Sequence, residues 1–236
     1  MGLGSIMDLF RSDNWSNELV GRINKMLALG GDMYAYTTSV LIDGAPDTDP
    51  QKEVYDRDKK INRIERKIRR RVVSRLAAGS QATDIPSALI FMNVVKDGER
   101  IGDYVKNLHE VNAMMPPAGE RDVYRERLGE SSRTIADLFA KARQAFSECD
   151  EELAGTVIKR AKAEGRSYEN AIREIVESDL HTRDAVCLVL ILRFYKRLVA
   201  HMSNIATTVV VPVDMIDFYD EDLDAESGDL PAGAGE

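Results

Sequence analysis

Cysteine, histidine, tryptophan and proline are all scarce in this chain. Its 236 residues hold two cysteines, three histidines, one tryptophan and seven prolines. Cys149 and Cys187 are too few for a disulfide framework, and Cys187 lies in the apolar run 185–192. It therefore reads as a buried free thiol, and such usage fits a reducing, cytoplasmic setting. That same run is the chain's long apolar stretch, yet eight residues fall far short of the roughly 20 that span a bilayer. Residues 1–10 lack a basic start and do not read as a signal peptide. Gly2 is followed by Ile6 where myristoylation wants Ser or Thr.

The scarce histidines exclude one class of metalloenzyme. Four-helix di-iron proteins carry Glu-x-x-His on two helices. Here the residues three before His109, His181 and His201 are Lys106, Ser178 and Leu198. Each histidine reads as an ordinary surface or boundary residue. A nucleophile–base constellation, a phosphate-cradling loop, Cys-x-x-Cys and a dinucleotide fingerprint are also missing, and Gly30-Gly31 sits mid-helix. The chain is not expected to be an enzyme.

Hydrophobic residues make up 44% of the chain, charged residues 31% and aromatics 6%. Rich in Ala, Leu, Ile, Met, Arg and Glu, it favours helix over β-sandwich. The formal net charge of −8 is unevenly spread. Residues 57–75 hold ten Lys or Arg against two acids, Asp58 and Glu65. The segment 212–236 is acidic, lacks Lys and Arg, and reads as a disordered tail. Without interleaved aromatics or a DNA-binding motif, the basic run reads as a solvated helix face rather than a nucleic-acid site. It remains a surface for an acidic partner, for anionic lipid beside a transporter, or for the acidic tail.

Apolar spacing predicts six long helices, at about 16–42, 50–78, 83–113, 121–147, 151–177 and 182–210. In the first, Leu19, Ile23, Met26, Leu27, Met33 and Val40 recur at helical spacing. A close helix–helix approach would explain Gly30-Gly31. Thr83 or Asp84 caps the third helix, with Pro86 in its first turn, and Gly165 marks a kink or split in the fifth. Asn107 and Asn204, 97 residues apart in similar helices, suggest an internal repeat. The expected fold is all-α: two tandem three-helix bundles over 15–115 and 119–211, followed by the tail.

The chemistry-bearing pattern lies in the first half. Residues three or four apart share a helix face. Asp58, Asn62 and Glu65 therefore form one oxygen-bearing stripe, and Glu99 and Asp103 another. Two readings stand. If the helices are neighbours, five oxygen-rich side chains converge on a patch able to hold a hard or borderline metal ion. Alternatively these are solvated acids, Glu99 paired with Arg66 or Arg100 and Asp103 with Lys106 or Lys59. With no histidine, any metal site here is weak and completed by water.

Leu29-Gly30-Gly31, then Asp58-Lys59-Lys60-Ile61-Asn62-x-x-Glu65, then Glu99-Arg100-Ile101-Gly102-Asp103-x-x-x-Asn107-Leu108 occur in that order on the first three helices. In this the chain resembles the PhoU family of phosphate-uptake regulators. The resemblance implies two pseudo-symmetric three-helix bundles whose surface motifs hold iron or zinc. It also implies a cytoplasmic, often dimeric protein that represses phosphate uptake and signalling by contacting a transporter and a sensor kinase. In the second half, the places of Glu99 and Asp103 are taken by Lys196 and Ala200, so one family-type metal site at most is expected, at Asp58, Asn62, Glu65, Glu99 and Asp103. Two further readings remain: a metal-free scaffold subunit of an ion or sodium–phosphate transporter, and a carboxylate-bridged metalloenzyme, against which the missing Glu-x-x-His counts.

Overall fold

The computed structural model describes residues 14–79, 84–211 and Ile216. Among these the regular structure is entirely helical. Six long helices follow one another: α1 Asn14–Leu41, α2 Asp56–Ala77, α3 Asp84–Glu110, α4 Asp122–Glu148, α5 Glu151–Val176 and α6 Thr182–Val210. A π-helical turn, Gln51–Tyr55, leads into α2, and a 3-10 turn, Val111–Met114, follows α3 before Pro116-Pro117. The predicted irregular start, the Thr83 cap and nearly all of the predicted tail lie outside the described residues.

Each helix forms because one stripe is apolar. In α1 the six residues of the predicted stripe are all buried, as are Ile61, Ile68 and Val72 of α2. Full burial of such a side chain contributes about 1.5–3 kcal/mol, so these stripes fix which face turns inward. The exposed side of α2 carries Arg63, Arg66, Lys67, Arg69, Arg70 and Arg71, the solvated basic face expected from the sequence. Local signals set several ends. Asp150 caps α5 by accepting from Leu153 N at 2.9 Å. Cys149, ending α4, takes the left-handed conformation at φ 54°.

The helix α5 runs through Gly165 unbroken. A Cβ there would meet nothing within 4 Å, so the glycine leaves room on the surface rather than making a kink. Gly30 behaves as expected: a Cβ would stand 3.2 Å from Ile101 Cγ2 and 3.6 Å from Phe139 Cε1. Its missing side chain lets α3 and α4 close over α1.

Helices α1–α3 pack on one another as one bundle and α4–α6 as a second. The seam between them is built from α1 against α4 and α3 against α6. Both pairs are antiparallel. On α3, Asp97 meets His201 and Tyr104 meets Phe194, so the partner's number falls as the chain advances. Likewise Gly30 faces Phe139 while Tyr34 donates to the Ser132 carbonyl at 3.1 Å. Near the connector, buried Arg121 donates to the carbonyls of Pro116 (2.7 Å) and Val40 (2.9 Å) and to Asn112 Oδ1 (2.9 Å). One guanidinium thereby ties the link between bundles to the end of α1.

One histidine departs from expectation, and a second is a boundary residue as expected but has a partner that was not foreseen. His109 is buried at 4% exposure, its Nε2 3.3 Å from Asp47 Oδ2. His201 is half-buried in the seam against Asp97. Their sequence contexts gave no hint, because both acidic partners come from distant segments.

Candidate functional site

Gly102 is the residue that brings the two carboxylate stripes onto one surface. A Cβ at Gly102 would lie 3.0 Å from Ile61 Cδ1 and 3.8 Å from Asp58 Oδ1. Its bare backbone lets α3 settle directly on α2, with Asp58 beside it. The Ile-Gly-Asp order in α3 thus has a steric cause: Ile101 fills the core, Gly102 admits α2, and Asp103 stands at the rim.

Asp58 is buried at 8% exposure, and Asn62, Glu65, Glu99 and Asp103 are half-buried. Asn62 Nδ2 approaches Asp58 Oδ2 at 3.5 Å. The central cation is Lys106, whose Nζ donates to Asp103 Oδ1 at 2.9 Å and reaches Asp58 Oδ2 at 3.5 Å. Arg100 lies 3.7 Å from Glu99 and 3.5 Å from Asp103. Glu65 is paired with Arg69 at 2.7 Å. Of the two partners expected for each acid, Arg100 and Lys106 are the ones found.

Burial is the leading electrostatic influence on this patch. Burial holds the Glu99 carboxyl above its usual range, and the nearby charges of Asp103 and Glu65 add to that. Burial likewise raises Asp58, against the pull of Lys106. Burial would lower Lys106, but Asp103 and Asp58 outweigh it and hold the ammonium above its ordinary value.

All five predicted residues therefore face one α2–α3 surface, but not as a finished metal cage. Among the described residues no three Asp, Glu, His or Cys side chains stand close enough together to hold a metal ion. The donor chemistry still suits a cation. Asp58 Oδ1 is buried without a hydrogen-bond partner, and an unsatisfied buried oxygen costs about 1–3 kcal/mol. A metal ion drawing on Asp58 and Asp103 would have to take the place of Lys106. That role was legible only in part, since Asp103–Lys106 is an i,i+3 pair whereas Lys106–Asp58 spans 48 residues.

A second polar constellation went unforeseen. Asp97 is fully buried; its Oδ1 meets His201 Nδ1 at 2.8 Å and accepts from Asn204 Nδ2 at 3.4 Å. Tyr104 stacks on His201 with ring centroids 5.5 Å apart. The Asn204 of the internal repeat thus serves the seam.

Residues 23–111 match the PhoU domain, a span that contains every residue of the carboxylate patch. The chain is similar to the phosphate-specific transport system accessory protein PhoU homolog of Pseudomonas aeruginosa, 28% identical, covering 84% of this chain and 85% of the relative. The homolog of Pseudomonas putida is 26% identical, covering 84% of this chain and 80% of that one. Among solved structures, PhoU from Pseudomonas aeruginosa superposes with a TM-score of 0.73 at 25% identity, over 82% of this chain and 94% of that one. The phosphate transport system regulatory protein PhoU from Streptococcus pneumoniae gives 0.71 at 18% identity, over 82% and 92%, a likeness of fold.

Proposed function

Because the chain belongs to the PhoU family, we propose that it is an accessory regulator of a phosphate transport system, acting in the cytoplasm by protein–protein contact rather than by catalysis. The observation that carries this reading is its likeness, over most of both chains, to accessory proteins of phosphate-specific transport systems. Two features of the surface support it. No helix among the described residues is long and apolar enough to cross a membrane. Val73, in the last turns of α2, and Ile85 and Leu89, in the first turns of α3, are exposed at 62, 50 and 49%, and α2 also carries the basic face. Exposed apolar side chains together with a basic helix face suit docking on an acidic protein surface. A transporter component is the partner class, with a sensor kinase as a second contact and a homodimer as the working form.

Within this reading the carboxylate patch tunes the docking face. Iron or zinc held by Asp58, Asn62, Glu65, Glu99 and Asp103 would clamp α2 to α3. A second reading has a specific observation in its favour: Lys106 already bridges Asp58 and Asp103, so the bundle serves as a metal-free scaffold. Elemental analysis of protein purified without chelator, beside the Glu99→Ala/Asp103→Ala variant, separates the two. The function itself is tested by deleting the gene in its host and measuring uptake of labelled phosphate in phosphate-replete cells. Raised uptake, reversed by the restored gene, is expected; unchanged uptake overturns the proposal.

A further inference from the structure

The exposed side of α2 carries a stripe of cations that no carboxylate answers. Arg63, Arg66, Lys67 and Arg70 stand at i, i+3, i+4 and i+7, the spacing that puts four side chains on one helix face. All four are exposed. Several other cations of α2 are matched: Lys59 with Asp56, Arg69 with Glu65 and Arg71 with Glu18. Within the stripe, the Nε groups of Arg63, Arg66 and Arg70 donate to the carbonyls of Lys59, Asn62 and Arg66 on their own helix. None of the four side chains has a carboxylate partner among the described residues. Like charges at these spacings repel one another, so the stripe gains from any run of anions laid along it.

The chain supplies such a run itself. Residues 217–229 hold seven Asp or Glu and no Lys or Arg. Their point of departure is fixed, since α6 ends at Val210 and Ile216 is buried in the core. Because α6 runs antiparallel to α3, its end lies beside the start of α3. Trp15 places the last turns of α2 at that same end: its ring lies 5.6 Å from that of Phe91 on α3 and 5.7 Å from the Arg75 guanidinium on α2. Both α6 and α2 pack on α3, so their axes are at most about 20 Å apart, twice the spacing of packed helices. Thirteen extended residues reach about 43 Å, enough to pass α3 and lie along a stripe about 10 Å long. The segment also carries Phe218 and Tyr219, and the last turns of α2 expose Val73 and Leu76, so apolar contact can accompany the ion pairs.

We propose that residues 217–229 lie along the stripe of Arg63, Arg66, Lys67 and Arg70 as an intramolecular acidic cover. Tethering holds the segment at an effective concentration of about 1 mM, an advantage that the tail of a second copy or a free acidic partner lacks. The net charge of −8 repels the other polyanions, lipid and nucleic acid, from the chain as a whole. Seated there, the tail competes with an acidic partner for the basic face, a consequence that rests on the docking role proposed above; the contact itself does not.

The test is zero-length carbodiimide coupling of the full chain at low salt, read by peptide mass spectrometry of the monomer band. Lys67 is the reporter amine within the stripe. An amide between Lys67 and a carboxylate of 217–229 in the same chain is expected. It should fall several-fold at about 1 M salt, where the screening length shrinks to about 3 Å. The variant Arg63→Gln/Arg66→Gln/Arg70→Gln keeps Lys67 and every carboxylate, yet should lose about tenfold of the coupling, the effect of three exposed ion pairs together. All three side chains are exposed, and far-UV circular dichroism establishes that the variant is folded. As a second measurement, a labelled 217–229 peptide is titrated into a full chain carrying Asp220→Asn, Glu221→Gln, Asp222→Asn, Asp224→Asn and Glu226→Gln. It should bind several-fold more tightly than to the parent, whose own tail competes. Absence of Lys67 coupling, coupling only between chains, coupling unchanged in the arginine variant, or equal peptide binding by the two chains would overturn the proposal. So would binding of phosphatidylserine vesicles through the same three arginines without Lys67–tail coupling, which gives the face to lipid. No readout here involves phosphate uptake, so failure of the contact leaves the regulatory reading standing.

Discussion

Asp97 of α3 and His201 of α6 meet at 2.8 Å across the seam between the two bundles, with the aspartate wholly buried. The two residues lie 104 positions apart in the chain. Asp97 Oδ2 has no hydrogen-bond partner, so the carboxylate depends on what reaches Oδ1. Leaving a buried carboxylate short of a hydrogen-bond partner costs about 1–3 kcal/mol, and more when the group is charged. His201→Ala should therefore lose roughly 3 kcal/mol in urea unfolding. The double variant Asp97→Ala/His201→Ala should lose clearly less than the sum of the singles. Additive losses would mean that the two side chains act independently.

The buried tyrosines give a contrast between neighbours. The rings of Tyr34 and Tyr195 lie 6.2 Å apart, but only the Tyr34 hydroxyl has an acceptor, the Ser132 carbonyl. The Tyr195 hydroxyl is buried without one, and burial pushes its pKa up to about 12 against the opposing pull of the Tyr34 and Ser132 hydroxyls. Tyr34→Phe should cost about 1 kcal/mol. Tyr195→Phe should be neutral or stabilising. Melting temperatures of the two variants decide it; an equal loss would show that Tyr195 has a partner after all.

Glu99 yields a prediction with a definite pH sign. Its carboxyl is raised in the fold, by burial first and then by Asp103 and Glu65. The folded chain thus holds that proton more tightly than the unfolded chain, and stability falls as pH rises from the ordinary carboxylate range through the raised value. At neutral pH, Glu99→Gln removes a like-charge i,i+4 neighbour of Asp103 and should gain about 0.5 kcal/mol. The gain should vanish at about pH 4, where the parent carboxyl is largely protonated. Urea midpoints at the two pH values test this, and a gain independent of pH would remove the electrostatic cause.

Gly165 sits in the middle of α5 with open space where a Cβ would go. Gly165→Ala should therefore stabilise the chain by up to about 1 kcal/mol, the ordinary helix-interior difference. Thermal unfolding measures it directly. Destabilisation would mean that the helix needs the glycine for a shape it does not have here.

Much of the fold was legible in the sequence because helix periodicity is local. The stripe of Leu19, Ile23 and Met26 declares both a helix and its inner face. The five oxygen-bearing residues could likewise be placed on two stripes, one on each helix, since spacing within a helix fixes a face. Their state could not be read so far. Whether Asp58 looks at a metal, at water or at Lys106 depends on how closely α3 approaches α2, and that is decided by Ile61 against Gly102. The burial of His109 and the partner of His201 were missed for the same reason. Their partners, Asp47 and Asp97, come from other segments, and no pattern around either histidine encodes such a meeting.

The antiparallel seam also has a consequence in time. Tyr34 waits for Ser132 and Asp97 for His201, separations of 98 and 104 residues. At synthesis rates of about 5–20 residues per second, each partner leaves the ribosome on the order of ten seconds after its mate. For that interval the nascent first bundle carries a buried-type carboxylate and an apolar flank with nothing to cover them. The early half is then open to chaperones and proteases, and the arrival of α6 is what ends that exposure.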